Sequence, residues 1–419
     1  MSGMAQYLHK KGYCITGSDR QQNDRTEQLS DLGIKIYIGH QNSNVGNSDM
    51  VVHTSAVHND NEEIVEAKKR NIPVVLREQM LGAIFNSFKT RIAVCGTHGK
   101  TTVTAMIHEI LACCGVSHCA FIGGVYHGNN FYYGNDIVVA EACEFNRSFL
   151  NLNPTICVCV NAEFDHPDCY KDEQDIFNAF ERFINNTDNG GSVVLPKKLS
   201  FLRTERKRVF YDDVVAENLK TVEGKPQFEI KQNGVCLGKT QLNVVGEHNV
   251  TNAFAALAVA NILNLPTNKT LEALSSFDGV DRRWTEKEGI CKIICDYAHH
   301  PTEIECSVSA AQSVTNARVI CLFQPHTYSR TQAFFDRFAQ CFKGVDKVIY
   351  LPVYSAREMP IGGIDSERLS RRARDMGVNA CYADNFSEAK NIVLNTVTAN
   401  DLLLILGAGD IVNIADEFV

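Results

Sequence analysis

The sequence predicts a three-domain α/β protein, and three observations carry that prediction. Short apolar runs recur along all 419 residues and alternate with segments whose apolar residues fall three and four apart. Most of those runs end in a polar or Gly-rich turn, the place where parallel sheets bind ligands. Near residue 88 a strand feeds a Gly-rich phosphate-type loop, and near residue 284 the strand–helix alternation restarts. The expected division is an N-terminal Rossmann-like domain (1–87), a central α/β domain (88–283) and a C-terminal Rossmann-like α/β domain (284–419).

Composition narrows the class. A net charge of −8 argues against a nucleic-acid partner, which would need a basic face. The basic clusters, Arg203 with Arg206 to Arg208 and Arg371, Arg372 with Arg374, are short and read as solvated surface. No apolar run approaches the ~18–20 residues of a membrane span, and the N-terminus lacks a signal-peptide core. The 16 cysteines are scattered, with no CxxC pairs, and several sit in strand-like runs (Cys157, Cys159, Cys295, Cys321). Buried reduced thiols in a cytoplasmic protein is the expectation.

In the first domain, Met4 to Lys11 reads as a helix and Tyr13 to Asp19 as a strand with a polar end. Lys35 to Ile38, Met50 to Thr54 and Ile72 to Leu76 are further strands, with a helix from Asn61 to Arg70. Ser18 and Asp19, then Thr54, Ser55 and Ala56, stand at strand ends. A doubly wound unit opens with a strand and a Gly-rich turn, but here Met1-Ser2-Gly3 lies apparently inside that turn. The expectation is a missing first strand, from a misassigned start, a fragment or a truncated variant.

The central domain opens on Arg91-Ile-Ala-Val-Cys-Gly-Thr-His-Gly-Lys-Thr-Thr102. Ile92 to Cys95 suits a buried parallel strand. Gly96, Thr97, His98 and Gly99 form the turn. Lys100, Thr101 and Thr102 open a helix with Met106, Ile107, Ile110 and Leu111 on one face. Backbone N–H groups, the helix N-terminus and Lys100 suit a nucleotide phosphate, and the Thr101 hydroxyl suits Mg²⁺. This is a P-loop ATPase-type arrangement, although Val94 stands where the general motif has Gly. Strands at Asp136 to Ala140 and Thr155 to Val160 deliver Glu141 and then Asn161 to His166. Glu141 can hold Mg²⁺ opposite Thr101, whereas Glu144 better fits an exposed acidic cap. His166 is a second metal ligand or a helix cap. A helix covers Phe177 to Ile184, a strand Ser192 to Leu195, and residues 204–245 read as an antiparallel patch. His248, Asn249 and Asn252 then open an Ala-rich helix and suit either an adenine edge or helix capping.

Tandem Arg282-Arg283 reads as a phosphate clamp across a domain boundary or as surface charge. In the last domain, strands are expected at Lys292 to Cys295, Val319 to Phe323, Lys347 to Leu351, Asn379 to Tyr382 and Leu402 to Leu406. Asp296, His299 and His300 follow the first; His326 and Arg330 follow the second; Gly407-Ala-Gly-Asp410 follows the last. Three loops converging at strand ends form one candidate site, where an Arg and a His suit a small carboxylate.

Taken together, these stretches resemble the Mur ligase family along the whole chain. The residues that carry the resemblance are Met1-Ser-Gly-Met-Ala, Gly17-Ser-Asp19, Thr54-Ser-Ala56, Gly96 to Thr102, Glu141 to Glu144 with Ser148-Phe149, and Asn161 with Asp165-His166. They continue with Gly246, His248-Asn249 and Asn252, Arg282-Arg283, Asp296 to Glu303, Phe323 to Thr331, and Gly407 to Asp410. The resemblance implies an ATP-dependent ligase of peptidoglycan precursor synthesis that forms an acyl phosphate on UDP-N-acetylmuramate, which L-alanine attacks.

Carried over residue by residue, Lys100, His299 and Arg330 are catalytic, and Gly96 to Thr102, His248, Asn249, Asn252, Arg282 and Asp296 bind ATP. Thr101, Glu141 and His166 hold two Mg²⁺ ions; Ser2, Ser18, Asp19 and Ser55 serve the UDP-sugar; His299, His326 and Arg330 hold the amino acid. A monomer or homodimer in the cytoplasm is implied. Three departures stand out: His326-Thr-Tyr-Ser-Arg330 has one arginine where many members have two, Cys143 and Asn146 replace carboxylates, and the diphosphate-wrapping turn survives only as Met-Ser-Gly. The competing readings are a murein-recycling ligase that adds a tripeptide to the same UDP-sugar and a non-catalytic nucleotide-binding protein. A folylpolyglutamate synthase-like enzyme would lack the N-terminal domain.

Overall fold

The computed structural model describes residues 1–419. Its centre is a seven-stranded sheet made of β5 (Thr90–Cys95), β6 (His118–Tyr126), β7 (Asn129–Tyr132), β8 (Ile137–Glu141), β9 (Ile156–Cys159), β10 (Ser192–Leu195) and β11 (Lys207–Phe210). The spatial order is β11-β10-β9-β5-β8-β6-β7, parallel except for the β6–β7 hairpin. β5, which leads to the Gly-rich loop, therefore lies in the middle, between the strands that carry Glu141 and Asn161.

Side chains alternate along β5 into two separate cores, because successive residues of a strand face opposite ways. Ile92 and Val94 join the helices Lys100–Cys113 and His248–Ile262 on one face. Ala93 and Cys95 join the helices Arg77–Asn86 and Glu173–Asn185 on the other. A near-continuous apolar run is what burial on both faces requires. The antiparallel patch is smaller than expected: β12 (Val214–Val222), β13 (Lys225–Gln232) and β14 (Val235–Gln241) form it, while β11 pairs in parallel with β10.

The N-terminal domain departs from a single doubly wound sheet. β1 (Thr16–Asp19) pairs only with β2 (Lys35–Ile38), and β3 (Val51–His53) only with β4 (Val74–Leu76), each in parallel. No strand lies between the pairs to join them, so they remain two ribbons. The preceding helix, Ser2–Lys10, turns Met4 and Tyr7 into the central domain's core. Tyr7 packs against Phe88, Phe121 and Phe131, with ring centroids 6.0, 6.3 and 6.4 Å away.

The C-terminal domain is a continuous six-stranded sheet. It comprises β15 (Thr285–Glu288), β16 (Lys292–Asp296), β17 (Val319–Phe323), β18 (Lys347–Tyr350), β19 (Ala380–Tyr382) and β20 (Leu402–Leu406), in the order β15-β16-β20-β17-β18-β19. Only the edge strand β15, which the sequence did not announce, runs antiparallel. The ends of β16, β17 and β20 point their loops at the central domain. No helix is long and apolar enough to cross a membrane.

Candidate active site

The loop after β5 turns at Gly96 (φ +142°) and Gly99 (φ +79°), both in the region that favours glycine. Space demands glycine as well: a Cβ at Gly99 would stand 2.8 Å from Asn252 Oδ1. Lys100, the first helical residue, folds back over the loop. Its Nζ donates to Gly96 O at 2.7 Å and Thr97 O at 3.0 Å, and meets the Glu144 carboxylate at 2.9 Å.

Glu144 corrects the sequence reading. It has no exposed surface, and it holds both Lys100 and, at 3.5 Å, His166 Nε2. Burial opposes both charges, yet Glu144 raises the Lys100 ammonium above its ordinary value, while Lys100 and His166 pull the Glu144 carboxyl below its own. His166 also stands 3.6 Å from Asp165.

The β5–β8 register places Val94 opposite Glu141, so Glu141 emerges beside the loop. Thr101 Oγ1 donates to Glu141 Oε2 at 2.7 Å. Across the carboxylate lies Gly123 of β6, where any Cβ would overlap the Glu141 oxygens. A hydroxyl and a carboxylate oxygen in such a cradle fit Mg²⁺, which prefers hard oxygen donors.

A cavity of about 900 Å³ runs from the loop to the C-terminal domain, lined by His98, Gly99, Thr101, Thr102, His248, Asn249, Asn252, Arg283 and Asp296. Burial lowers the His248 imidazole to about 4. Asn252 donates to Asn249 Oδ1, and Asn249 to Val245 O, so these amides are mutually braced. Asp296 accepts from Trp284 N and Ala298 N. Arg282, expected as the phosphate clamp, does not line this cavity. Its backbone has φ +62°, and its guanidinium donates to Gly409 O at 3.1 Å. The left-handed turn directs the neighbouring Arg283 inward instead, to within 3.6 Å of Glu303.

The central and C-terminal domains meet through buried charges. Arg330, 3% exposed, gives Nε and Nη2 to the two Asp165 oxygens at 2.8 and 3.3 Å, and its Nη1 faces His326 Nδ1 at 3.1 Å. Burial would raise Asp165, but Arg330 holds its carboxyl well below the usual range. His98 Nδ1 lies 3.2 Å from Glu303, and Thr302 Oγ1 donates to Glu163 at 2.8 Å. Burial alone would lower His98, but Glu303 and Glu163 outweigh it and lift the imidazole to about 9. His299 and His326, by contrast, are pushed down by burial to about 3 and 4. Their rings are 5.9 Å apart, and His299 Nδ1 is 3.0 Å from Tyr297 O.

The residues expected to serve a nucleotide sugar are dispersed. Ser2 Oγ is 3.5 Å from Asn130, Ser18 donates to Glu63 at 2.8 Å, Asp19 accepts from Gln21 N, and Ser55 is exposed. A small cavity between the first helix and the central sheet is lined by Met1, Gly3, Arg77, Asn130, Glu141 and Ser148. None of that expected set lines it; Ser2 comes nearest, through its contact with Asn130.

This geometry can now be set beside known proteins. Residues 1–89 match the Mur ligase family, catalytic domain; residues 94–260 the Mur ligase middle domain; and residues 282–409 the Mur ligase, glutamate ligase domain. The chain belongs to the Mur ligase family. It is 37% identical over 434 residues to a UDP-N-acetylmuramate–L-alanine ligase of Clostridium novyi, covering 100% of this chain and 94% of that protein. An enzyme of the same name from Agathobacter rectalis is 37% identical over 439 residues, covering 100% and 95%.

Among solved structures, the UDP-N-acetylmuramate-alanine ligase MurC of Thermotoga maritima superposes with a TM-score of 0.83 at 29% identity, covering 100% of this chain and 95% of that one. A murein peptide ligase of Psychrobacter arcticus shares the fold, with a TM-score of 0.72 at 21% identity and coverage of 100% and 95%. The candidate site also gathers Glu144, Asp165, Glu163, Arg283 and Glu303, whose partners lie far away in the chain.

Proposed function

We propose that this chain is an ATP-dependent ligase that joins L-alanine to UDP-N-acetylmuramate through an acyl-phosphate intermediate. The observation that carries the reading is the joining of two half-sites. The Lys100–Glu144–His166 and Thr101–Glu141 pairs face the His299, His326 and Arg330 loops across one domain junction, in a chain similar to L-alanine ligases over its whole length.

Lys100 would exchange Glu144 for the transferred phosphoryl group, whose charge it offsets as it develops. Thr101 and Glu141 would hold one Mg²⁺, with His166 and Glu144 beside a second; the ions would neutralise phosphate charge. His248, Asn249, Asn252 and Asp296 would line the nucleoside side of the cavity. Arg283 takes the phosphate-side role first expected of Arg282. His299 is uncharged at neutral pH, and its Nδ1–H donates to Tyr297 O, leaving the Nε2 lone pair free to accept from the alanine amine. Asp165 already engages Arg330, so Arg330 would orient His326 and close the junction, and would reach the alanine carboxylate only as Asp165 lets go. The reaction belongs in the cytoplasm, where nucleotide-sugar precursors and ATP meet.

The test is phosphate release from Mg²⁺-ATP and UDP-N-acetylmuramate with L-alanine, glycine, L-serine or the tripeptide L-Ala-D-Glu-diaminopimelate. L-alanine should be the preferred acceptor; preference for the tripeptide would move the chain to murein recycling. Lys100→Ala should lower kcat by roughly 10²–10³-fold, the scale of losing one transition-state charge contact. An unchanged kcat would sink the phosphate-loop assignment.

A further inference from the structure

We propose a separate cation site, suited to a borderline-soft divalent ion such as Zn²⁺ or Co²⁺, formed by His98, Glu163 and His300 at the seam between the central and C-terminal domains. One ligand atom from each lies within 4.8 Å of the others. Four observations support the assignment.

First, His98 Nε2 and His300 Nε2 are both buried without any hydrogen-bond partner, and His300 has no exposed surface at all. Orphaned buried nitrogens are rare and costly, and two facing one carboxylate mark a place built for something else. Second, the two rings are tilted by 39° with centroids 4.6 Å apart, and Glu163 Oε2 is 3.7 Å from His98 Nε2. Donors bound at ~2.0–2.1 Å to a tetrahedral centre stand roughly 3.4 Å apart, so the widest gap of up to 4.8 Å closes by about 1.4 Å shared between side chains.

Third, His98 Nδ1 is 3.2 Å from Glu303 Oε1. That carboxylate fixes the proton on Nδ1 and directs the Nε2 lone pair into the gap, the outer-shell support that metal-binding histidines use. Fourth, two imidazoles and one carboxylate, with the cavity supplying water, match Zn²⁺ or Co²⁺ rather than Mg²⁺, which takes oxygen.

Binding is balanced in protons. His98 gives its Nε2 proton to solvent. His300 moves its ring proton to Nδ1, giving up a long 3.3 Å contact from Thr302 N, a first-turn helix N–H that water can satisfy. The site shares no ligand with the Thr101–Glu141 pair. Two of its ligands come from the central domain and one from the C-terminal domain, so an ion there would tie the domains together.

The experiment is a titration of chelator-stripped full-length protein with Co²⁺ in excess Mg²⁺, read by visible absorption and calorimetry. Neither readout depends on turnover, so failure of the ligase reading would leave this result intact. The expected result is one Co²⁺ per chain with a tetrahedral-type spectrum, bound at least tenfold more weakly by both His300→Gln and Glu163→Gln and unchanged in Glu141→Gln. Circular dichroism of the two variants in chelator should match the parent; if one misfolds, the other decides. Absence of binding, wild-type affinity in the folded variants, loss in Glu141→Gln, or a thiolate charge-transfer band assigning the ion to cysteine would each overturn the proposal.

Discussion

The two outer domains are both Rossmann-like in pattern but differ sharply in packing. Every residue of β17 and β20 in the C-terminal domain is buried, and those strands have neighbours on both sides. In the N-terminal domain, none of the four strands holds a single buried residue. The same alternation of strand and helix therefore gives a hard sheet at one end and two shallow ribbons at the other. Burial comes from having neighbours on both edges and both faces, not from apolar content alone. The hard sheet clasps the central domain with buried charges, whereas the N-terminal domain holds it through the apolar faces of two helices, Ser2–Lys10 with Tyr7 and Arg77–Asn86 with Leu81, Ile84 and Phe85.

The largest effect on this contrast should come from breaking the clasp. Arg330→Ala leaves the Asp165 carboxylate buried and unpaired, which costs about 3–5 kcal/mol. Chemical denaturation should register that loss, and Asp165→Asn in the same background should recover part of it. Independent behaviour of the two changes would refute the pairing.

Next comes packing. Leu404→Ala in β20 should cost about 2–5 kcal/mol, whereas Val52→Ala in half-buried β3 should cost under ~1.5 kcal/mol. Equal urea-midpoint shifts would erase the comparison.

A smaller effect follows from pH. His98 has its pKa raised to about 9 from an ordinary 6.5, so its stabilising contribution is complete below pH 6.5 and is lost as pH rises through 9. That contribution is on the order of 3 kcal/mol. Melting temperature in chelator should fall across that window, and His98→Asn should flatten the fall. Least of all, Ser18→Ala, which removes partly exposed hydrogen bonds to Glu63 and His40, should cost about 0.5–1.5 kcal/mol by thermal unfolding.

Much of this was legible because it is local. The strands at Lys35–Ile38, Ser192–Leu195, Val319–Phe323 and Leu402–Leu406 fall where their apolar runs place them. The Gly-rich loop is likewise a contiguous pattern, and its turn falls between β5 and the helix that Lys100 opens, where the glycines place it. The β6–β7 hairpin is hidden because Gly123 and Gly124 interrupt its strand signal, and the helix Thr267–Ser276 because only Leu271, Ala273 and Leu274 in it are apolar.

Side-chain partnerships were harder to see. Asp165 and Arg330 are 165 positions apart, and nothing near Glu144 says that a lysine will cover it. Which of two adjacent arginines faces a cavity depends on one backbone angle, here the positive φ of Arg282. Whether a carboxylate is a cap or a buried counter-ion is decided by tertiary neighbours.

The bare α-carbon of Gly123 has a consequence beyond packing. Since even a methyl group there would collide with the Glu141 carboxylate, the position works as a steric keyhole for the side chain proposed to hold magnesium. An alanine would push Glu141 away from Thr101 without altering a charge or a donor. A residue with no functional group thus sets whether the Thr101 and Glu141 oxygens can stand together, and a sequence variant at this silent position deserves to be read as a change to the candidate site.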